Sequence, residues 1–428
     1  MFDIHKTTLK NGLRVITVPM KNTEAVTLLV AVRVGSRNES EKLSGISHFI
    51  EHTLFKGSKN RPTTKQIQGE LDRVGASYTA FTSKETTGFL TKSSTKDFGN
   101  CLSIISDIIL NPLFNKTEIE RERGVISQEI DMYKDSPRSN VHSVFEEVIY
   151  DGQPIGRDIA GTKQTVGNIK RTDLLNFKNK NYLPKNMVVV VTGKLDPKET
   201  TEKIEQAFQK IKMGERKADT KTDTKQISPR VELISKELDQ SHIVLGTRGY
   251  DMFHKDKYVL SLLSIILGGN SSSKLFTEIR EKRGLVYYVH GYNEYYTDCG
   301  YLGVNMGVPH DKLEEAVNIT LKIFKEIKNK GVSKKDLTSA KSFIRGQIAL
   351  SFETSDSVAS HVADQELLGN KILQPEETLK KFEEVTQKDI LRVANDIFKP
   401  NRMNLAVIGK FDNVSQQKKL YKGIFKGL

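Results

Sequence analysis

The chain has very little cysteine: two residues in 428, Cys101 and Cys299, almost 200 positions apart. That excludes a disulfide framework and a thiolate zinc cluster, both of which need several closely spaced cysteines. It has no tryptophan and no long hydrophobic run. The apolar segment Ala25–Val32 stops at Arg33, well short of the ~20 residues a membrane helix requires. The opening Met-Phe-Asp-Ile-His lacks the basic-then-apolar pattern of a secretory leader and the Arg/Ser-rich pattern of a transit peptide. A cytoplasmic protein without a membrane anchor is therefore expected. Glycine and proline do not cluster into low-complexity tracts, so the expectation is globular.

What is present is charge, 28% of residues, with a net +13. The excess is mostly lysine interleaved with acids, as over residues 185–210 and 312–341. No arginine-rich cluster with interleaved aromatics accompanies it, so solvated helix faces explain the charge better than a nucleic-acid surface. Nucleic acid is not an expected partner.

At 428 residues the chain suits two domains. Residues 212–230 hold almost no large apolar side chains and read as an exposed linker. The same pattern recurs on either side. Pro184, Met187, Gly193 and Asp196 match Pro400, Met403, Gly409 and Asp412, all at an offset of 216, and Asp173-Leu-Leu matches Asp389-Ile-Leu. The segments Val26–Gly35 and Ser241–Tyr250 also correspond. A repeat this long is a duplicated domain, not a solenoid, whose units run to 20–50 residues. In each half the order is strand, helix, strands, two longer helices, strand. The expected fold is α+β, with helices packed on a mostly antiparallel sheet. The expected division is a first domain over 1–211, the linker over 212–230, and a second domain over 231–428.

His48-Phe-Ile-Glu51-His52 lies in a helix-like stretch. Residues four apart share a helical face, so both imidazoles can converge on one cation. Glu51 stands beside them, able to take a proton from water acidified by the metal. This His-x-x-Glu-His order inverts the commoner zinc-peptidase motif. A zinc site of that class needs a third protein ligand and an open position. Downstream, Glu122 and Glu129 sit seven apart on one face of an acidic helix, with Val125 and Ile126 between them. One could be a ligand and the other could orient a histidine. A non-catalytic scaffold or partner subunit is the rival reading.

Together these phrases resemble the pitrilysin or insulinase family of metallopeptidases, in its mitochondrial-processing-peptidase-like branch. Leu9–Val18, Leu43–Ser58 and Ala76–Ser83 are similar to that family as well, and the resemblance spans both halves. It implies one Zn2+ held by His48, His52 and Glu129, with Glu51 as general base and Glu122 orienting a ligand. It also implies that Thr79, Ala80 and Phe81 lie on a substrate-binding edge strand, although the family usually has Asn-Ala where this chain has Thr79-Ala80.

In the second half Gln347 stands where Glu129 stands in the first, and Tyr258–Gly268 has neither histidine nor acid. The second domain cannot bind zinc this way. Its Leu267–Phe276 is glycine-rich but lacks the Gly-x4-Gly-Lys-Ser/Thr pattern of a phosphate loop. By the same resemblance Arg280 and Tyr287 polarise the scissile carbonyl in a facing active site. One chain would then hold every required group, and a homodimer enclosing the substrate would suffice, with the linker as hinge. Processing members carry two acids ten and fourteen residues past the third ligand. Here those positions are Ser139 and Ser143, so arginine-directed cleavage is not expected. Peptides or unfolded proteins, including leader segments, are the expected substrates.

Overall fold

The computed structural model describes residues 2–215, 218–369 and 371–428. It resolves into two compact units. The first comprises Met1–Asp131, Arg157–Thr220 and Ile348–Glu376; the second comprises Met132–Gly156, Lys221–Gln347 and Glu377–Leu428.

The first unit has a six-stranded sheet. Its strands are β1 (His5–Thr8), β2 (Arg14–Pro19), β3 (Ala25–Val32), β4 (Ser77–Thr82), β5 (Thr87–Ser94) and β6 (Met187–Gly193), in the order β1-β2-β6-β3-β5-β4. Only β2 and β6 pair parallel. The central strands β3 and β6 are buried on both faces, which is why they read as near-continuous valine, leucine and alanine rather than as an alternation.

The second unit repeats this plan. Strands β7 (Arg230–Ser235), β8 (Ser241–Arg248), β9 (Tyr288–Tyr295), β10 (Gly300–Val308) and β11 (Met403–Gly409) run in the order β7-β11-β8-β10-β9, with only β7 and β11 parallel. Strands β7, β8 and β11 begin 216 residues after β2, β3 and β6. The repeat seen in the sequence is thus a repeat of sheet topology, and the fold is α+β.

Five helices matter below: α1 (Ile46–Leu54), α2 (Lys116–Asp135), α3 (Pro137–Tyr150), α4 (Lys257–Gly268) and α5 (Ser355–Leu367). Two of them lie with the other half's sheet. From α3, Val141, Phe145 and Ile149 pack with Val244, Tyr301 and Ala406 in the second unit. From α5, Val358, Val362 and Leu367 pack with Ile16, Leu29 and Val190 in the first. The units are therefore not the uninterrupted stretches 1–211 and 231–428. An apolar helix face is satisfied by any apolar sheet face, so neighbourhood in sequence does not fix its partner.

The segment read as an exposed linker is tied down where it is described. Asn38 Nδ2 donates to Asp219 at 2.6 Å in the first unit. In the second, the Thr222 N–H donates to Asp298 at 2.8 Å, and Gln226 is buried against Asn404. Its polarity supplies hydrogen bonds, not only solvation. Among the described residues no helix is long and apolar enough to cross a membrane.

Candidate metal centre

Helix α1 is short and mostly buried, with only Glu51 and His52 partly open. Ile46, Phe49, Ile50 and Leu54 are wholly buried in the core between the first sheet and its helices. This fixes the rotation of α1, so that His48 and His52, one turn apart, emerge together. Their rings meet edge-on with centroids 4.6 Å apart.

Helix α2 supplies the acids by the same logic. Ile119, Ile126 and Ile130 anchor its buried face, and Glu122 and Glu129 lie along that side, two turns apart. Val125 is exposed, so of the apolar pair between them only Ile126 faces inward. Glu129 Oε2 lies 3.7 Å from His48 Nε2 and 3.5 Å from His52 Nε2. Ligands about 2.0–2.1 Å from a tetrahedral zinc are separated from each other by about 3.3 Å. The carboxylate oxygen therefore stands close to one such edge length from each imidazole nitrogen. Among the described residues His48, His52 and Glu129 form the one His/Cys/Asp/Glu group whose donor atoms converge, all within 4.8 Å. Two neutral nitrogens and one anionic oxygen form a donor set suited to zinc.

Glu122 is buried with its carboxylate shared. Oε2 is 3.1 Å from His52 Nδ1, and Oε1 is 2.9 Å from Lys56 Nζ. A carboxylate only accepts, so in the neutral ring the proton sits on Nδ1 and the Nε2 lone pair faces Glu129. Burial alone would push His52 down, but hydrogen bonds to Glu122 and Glu129 outweigh it and lift it to about 9. His48 goes the other way, to about 4, through burial and the nearby positive charge of His52. Glu129 is held low chiefly by its bond to His52.

Glu51 lies on the same helix. Burial raises its carboxyl above the usual range, and the Thr82 hydroxyl, donating to Oε2 at 2.7 Å, partly counters this. Thr82 ends β4, one of the two edge strands of the sheet. Along β4 the side chains alternate. Tyr78 and Ala80 join the core beside α1, whereas Phe81 packs on the sheet's opposite face. Thr79 is exposed. Of the expected trio Thr79, Ala80 and Phe81, only Ala80 shares the face of α1, and the residue in contact with Glu51 is Thr82. Sequence reasoning missed Thr82 and Lys56. The period-two alternation from Ala80 to Thr82 was the available signal for the first. Lys56, one turn past His52, carried none.

In the second unit Arg280 sits on a π-helical turn (Phe276–Glu281), with its guanidinium carbon 5.7 Å from the Tyr287 ring centre. Tyr287 is 76% exposed. The expected pair is adjacent and open to contact. Helix α4 takes the place of α1 there and carries no histidine or acid. Gln347 occupies the position of Glu129.

Among the described residues the one converging His-His-Glu group lies in the first copy of this duplicated α+β unit, and comparison with known proteins gives the class of the fold. Residues 14–163 match the family described as insulinase (peptidase family M16), and residues 168–343 match the peptidase M16 inactive domain. A protein of Rickettsia bellii called an uncharacterized zinc protease is 33% identical over 411 residues, which are 95% of this chain and 97% of that one. The crystal structure of a protease from Helicobacter pylori superimposes with a TM-score of 0.89 at 26% identity, covering 95% of this chain and all of that one. A Pseudomonas fluorescens structure described as a peptidase M16 inactive domain shares the fold, with a TM-score of 0.89 at 18% identity and 96% and 98% coverage. The chain belongs to peptidase family M16.

Proposed function

We propose that this chain is a zinc-dependent endopeptidase acting on peptides and unfolded protein segments, with one zinc per chain. The observation that carries this reading is the convergence of His48 Nε2, His52 Nε2 and Glu129 Oε2, with Glu51 on the same helix. A zinc ion held by these three would supply Lewis acidity, lowering the pKa of water and polarising a carbonyl. The chain's own residues would do the rest. Glu51, its basicity raised by burial, accepts the proton and passes it to the leaving amine. Thr82 keeps Glu51 in one rotamer, and Glu122 keeps the His52 lone pair aimed at the metal. The outer edge of β4 takes an extended peptide as an added strand, fixing its direction through backbone hydrogen bonds.

Arg280 and Tyr287 would stabilise charge on the scissile carbonyl oxygen from a second copy of the chain, which makes a homodimer enclosing its substrate the working unit. Ser139 and Ser143 on α3 offer no carboxylate to hold an arginine, which favours broad peptide cleavage over arginine-directed processing. The match to an inactive domain lies on residues 168–343, outside the His-His-Glu set, so it does not favour a non-catalytic scaffold. The test is a quenched peptide assay with parallel zinc analysis. The parent should carry one zinc per chain and cleave. Glu51→Gln should keep the zinc and lose about 10²–10⁴-fold in rate. Equal rates, or a parent without zinc, would overturn the reading.

A further inference from the structure

The first N–H groups of a helix have no acceptor within it. At the start of α1 the capping position is Gly45, which has no side chain to offer. The acceptor comes from outside the helix. Glu39, 4% exposed, reaches that end with both carboxylate oxygens. Oε2 accepts from the Gly45 N–H at 2.7 Å, and Oε1 from the Ser47 N–H at 2.7 Å. Glu39 is itself held in place. Its carbonyl accepts from Arg157 at 3.1 Å, and the Arg157 carbonyl accepts from Lys84 at 2.6 Å. The fit leaves no slack. A Cβ on Gly45, which adopts φ +94°, would stand 2.5 Å from the Ala160 carbonyl oxygen.

We infer that Glu39 is a positioning residue for the metal centre, a buried carboxylate that fixes where α1 begins and so where His48 points. The inference rests on the reading of His48 as a metal ligand. Ser47 directly precedes His48 in the first turn of α1, while His52 stands in the last turn, held separately by Glu122. Releasing the start of the helix therefore displaces one ligand relative to the other two. A hydroxyl cap within the helix would satisfy one N–H and move with it. A carboxylate anchored elsewhere satisfies two and ties the helix to the 157–161 segment. The positive end of the helix dipole favours an anion here. Acceptance by both oxygens is the geometry of an ionised carboxylate, although burial pushes this carboxyl up to about 8.

Glu39→Gln keeps the shape and leaves one acceptor oxygen for two donors. Three readouts on the full chain separate positioning from mere stability: the zinc Kd by chelator competition, the visible spectrum of the cobalt-substituted protein, and the metal-free thermal midpoint. The zinc Kd should rise about 10–100-fold, and the cobalt bands should shift. A variant with the parent's zinc Kd and cobalt spectrum, but a lower midpoint, overturns the inference. A parent that binds no zinc overturns the metal reading instead, so the two failures are distinct. Should Glu39→Gln not fold, hydrogen exchange on the metal-free parent decides. Protected Gly45 and Ser47 amides support the anchor, and exchange at unprotected rates overturns it.

Discussion

His48 and His52 are four residues apart on one helix, yet their surroundings move them in opposite directions, to about 4 and about 9. The difference is the pair of carboxylates beside His52. A folded-state pKa above the ordinary 6.5 means that metal-free folding gains from His52 protonation. That gain is complete below pH 6.5 and is lost as pH rises through about 9. Glu122→Gln removes the largest upward influence and should flatten this loss in metal-free denaturation curves. In zinc titrations the same variant should bind about 10–100-fold more weakly. Unchanged curves and affinity would mean that Glu122 does not act on His52. Thr82→Val removes a hydrogen bond that holds Glu51 down. The acid limb of kcat/KM should therefore move to higher pH, and a limb that stays in place contradicts the role given to Thr82.

These residues were unevenly legible. The two histidines and Glu51 could be read because helical geometry alone dictates which side chains share a face. Glu122 and Glu129 could be read as a pair, but which one faced both rings was not decided by their spacing. Thr82 and Glu39 act across 31 and 6–8 residues through turns of the chain, and no period in the sequence encodes such contacts.

At the scale of elements, the offset of 216 correctly identified corresponding strands, because buried strands are constrained on both faces and keep their length. The helices were less legible. Helix α3 is satisfied in the second unit and α5 in the first, since an amphipathic face specifies an apolar partner without saying which. The exchange has a measurable consequence. Phe145→Ala, a change within residues 1–211, should destabilise the second unit by about 3–5 kcal/mol, and Leu367→Ala the first by about 2–5 kcal/mol. Hydrogen exchange mapped on the two sheets checks this. Losses of protection confined to β2–β6 for Phe145→Ala, or to β7–β11 for Leu367→Ala, would contradict the assignment.

For the whole molecule, the first copy carries the His-His-Glu group and the second an exposed arginine–tyrosine pair, and the proposed homodimer rests on that separation. If Arg280 acts on the zinc site of another copy, a mixture of Glu51→Gln and Arg280→Ala chains, each weak alone, regains activity after subunit exchange. Activity that never exceeds that of the two variants separately would place Arg280 and Glu51 in service of the same chain, or leave Arg280 without a role.

The most direct measurement is anomalous diffraction at the zinc edge from crystals of the zinc-loaded protein. One strong peak per chain is expected, within about 2.0–2.2 Å of His48 Nε2, His52 Nε2 and a Glu129 oxygen. A peak elsewhere, or none at these three side chains, would contradict the proposed metal centre.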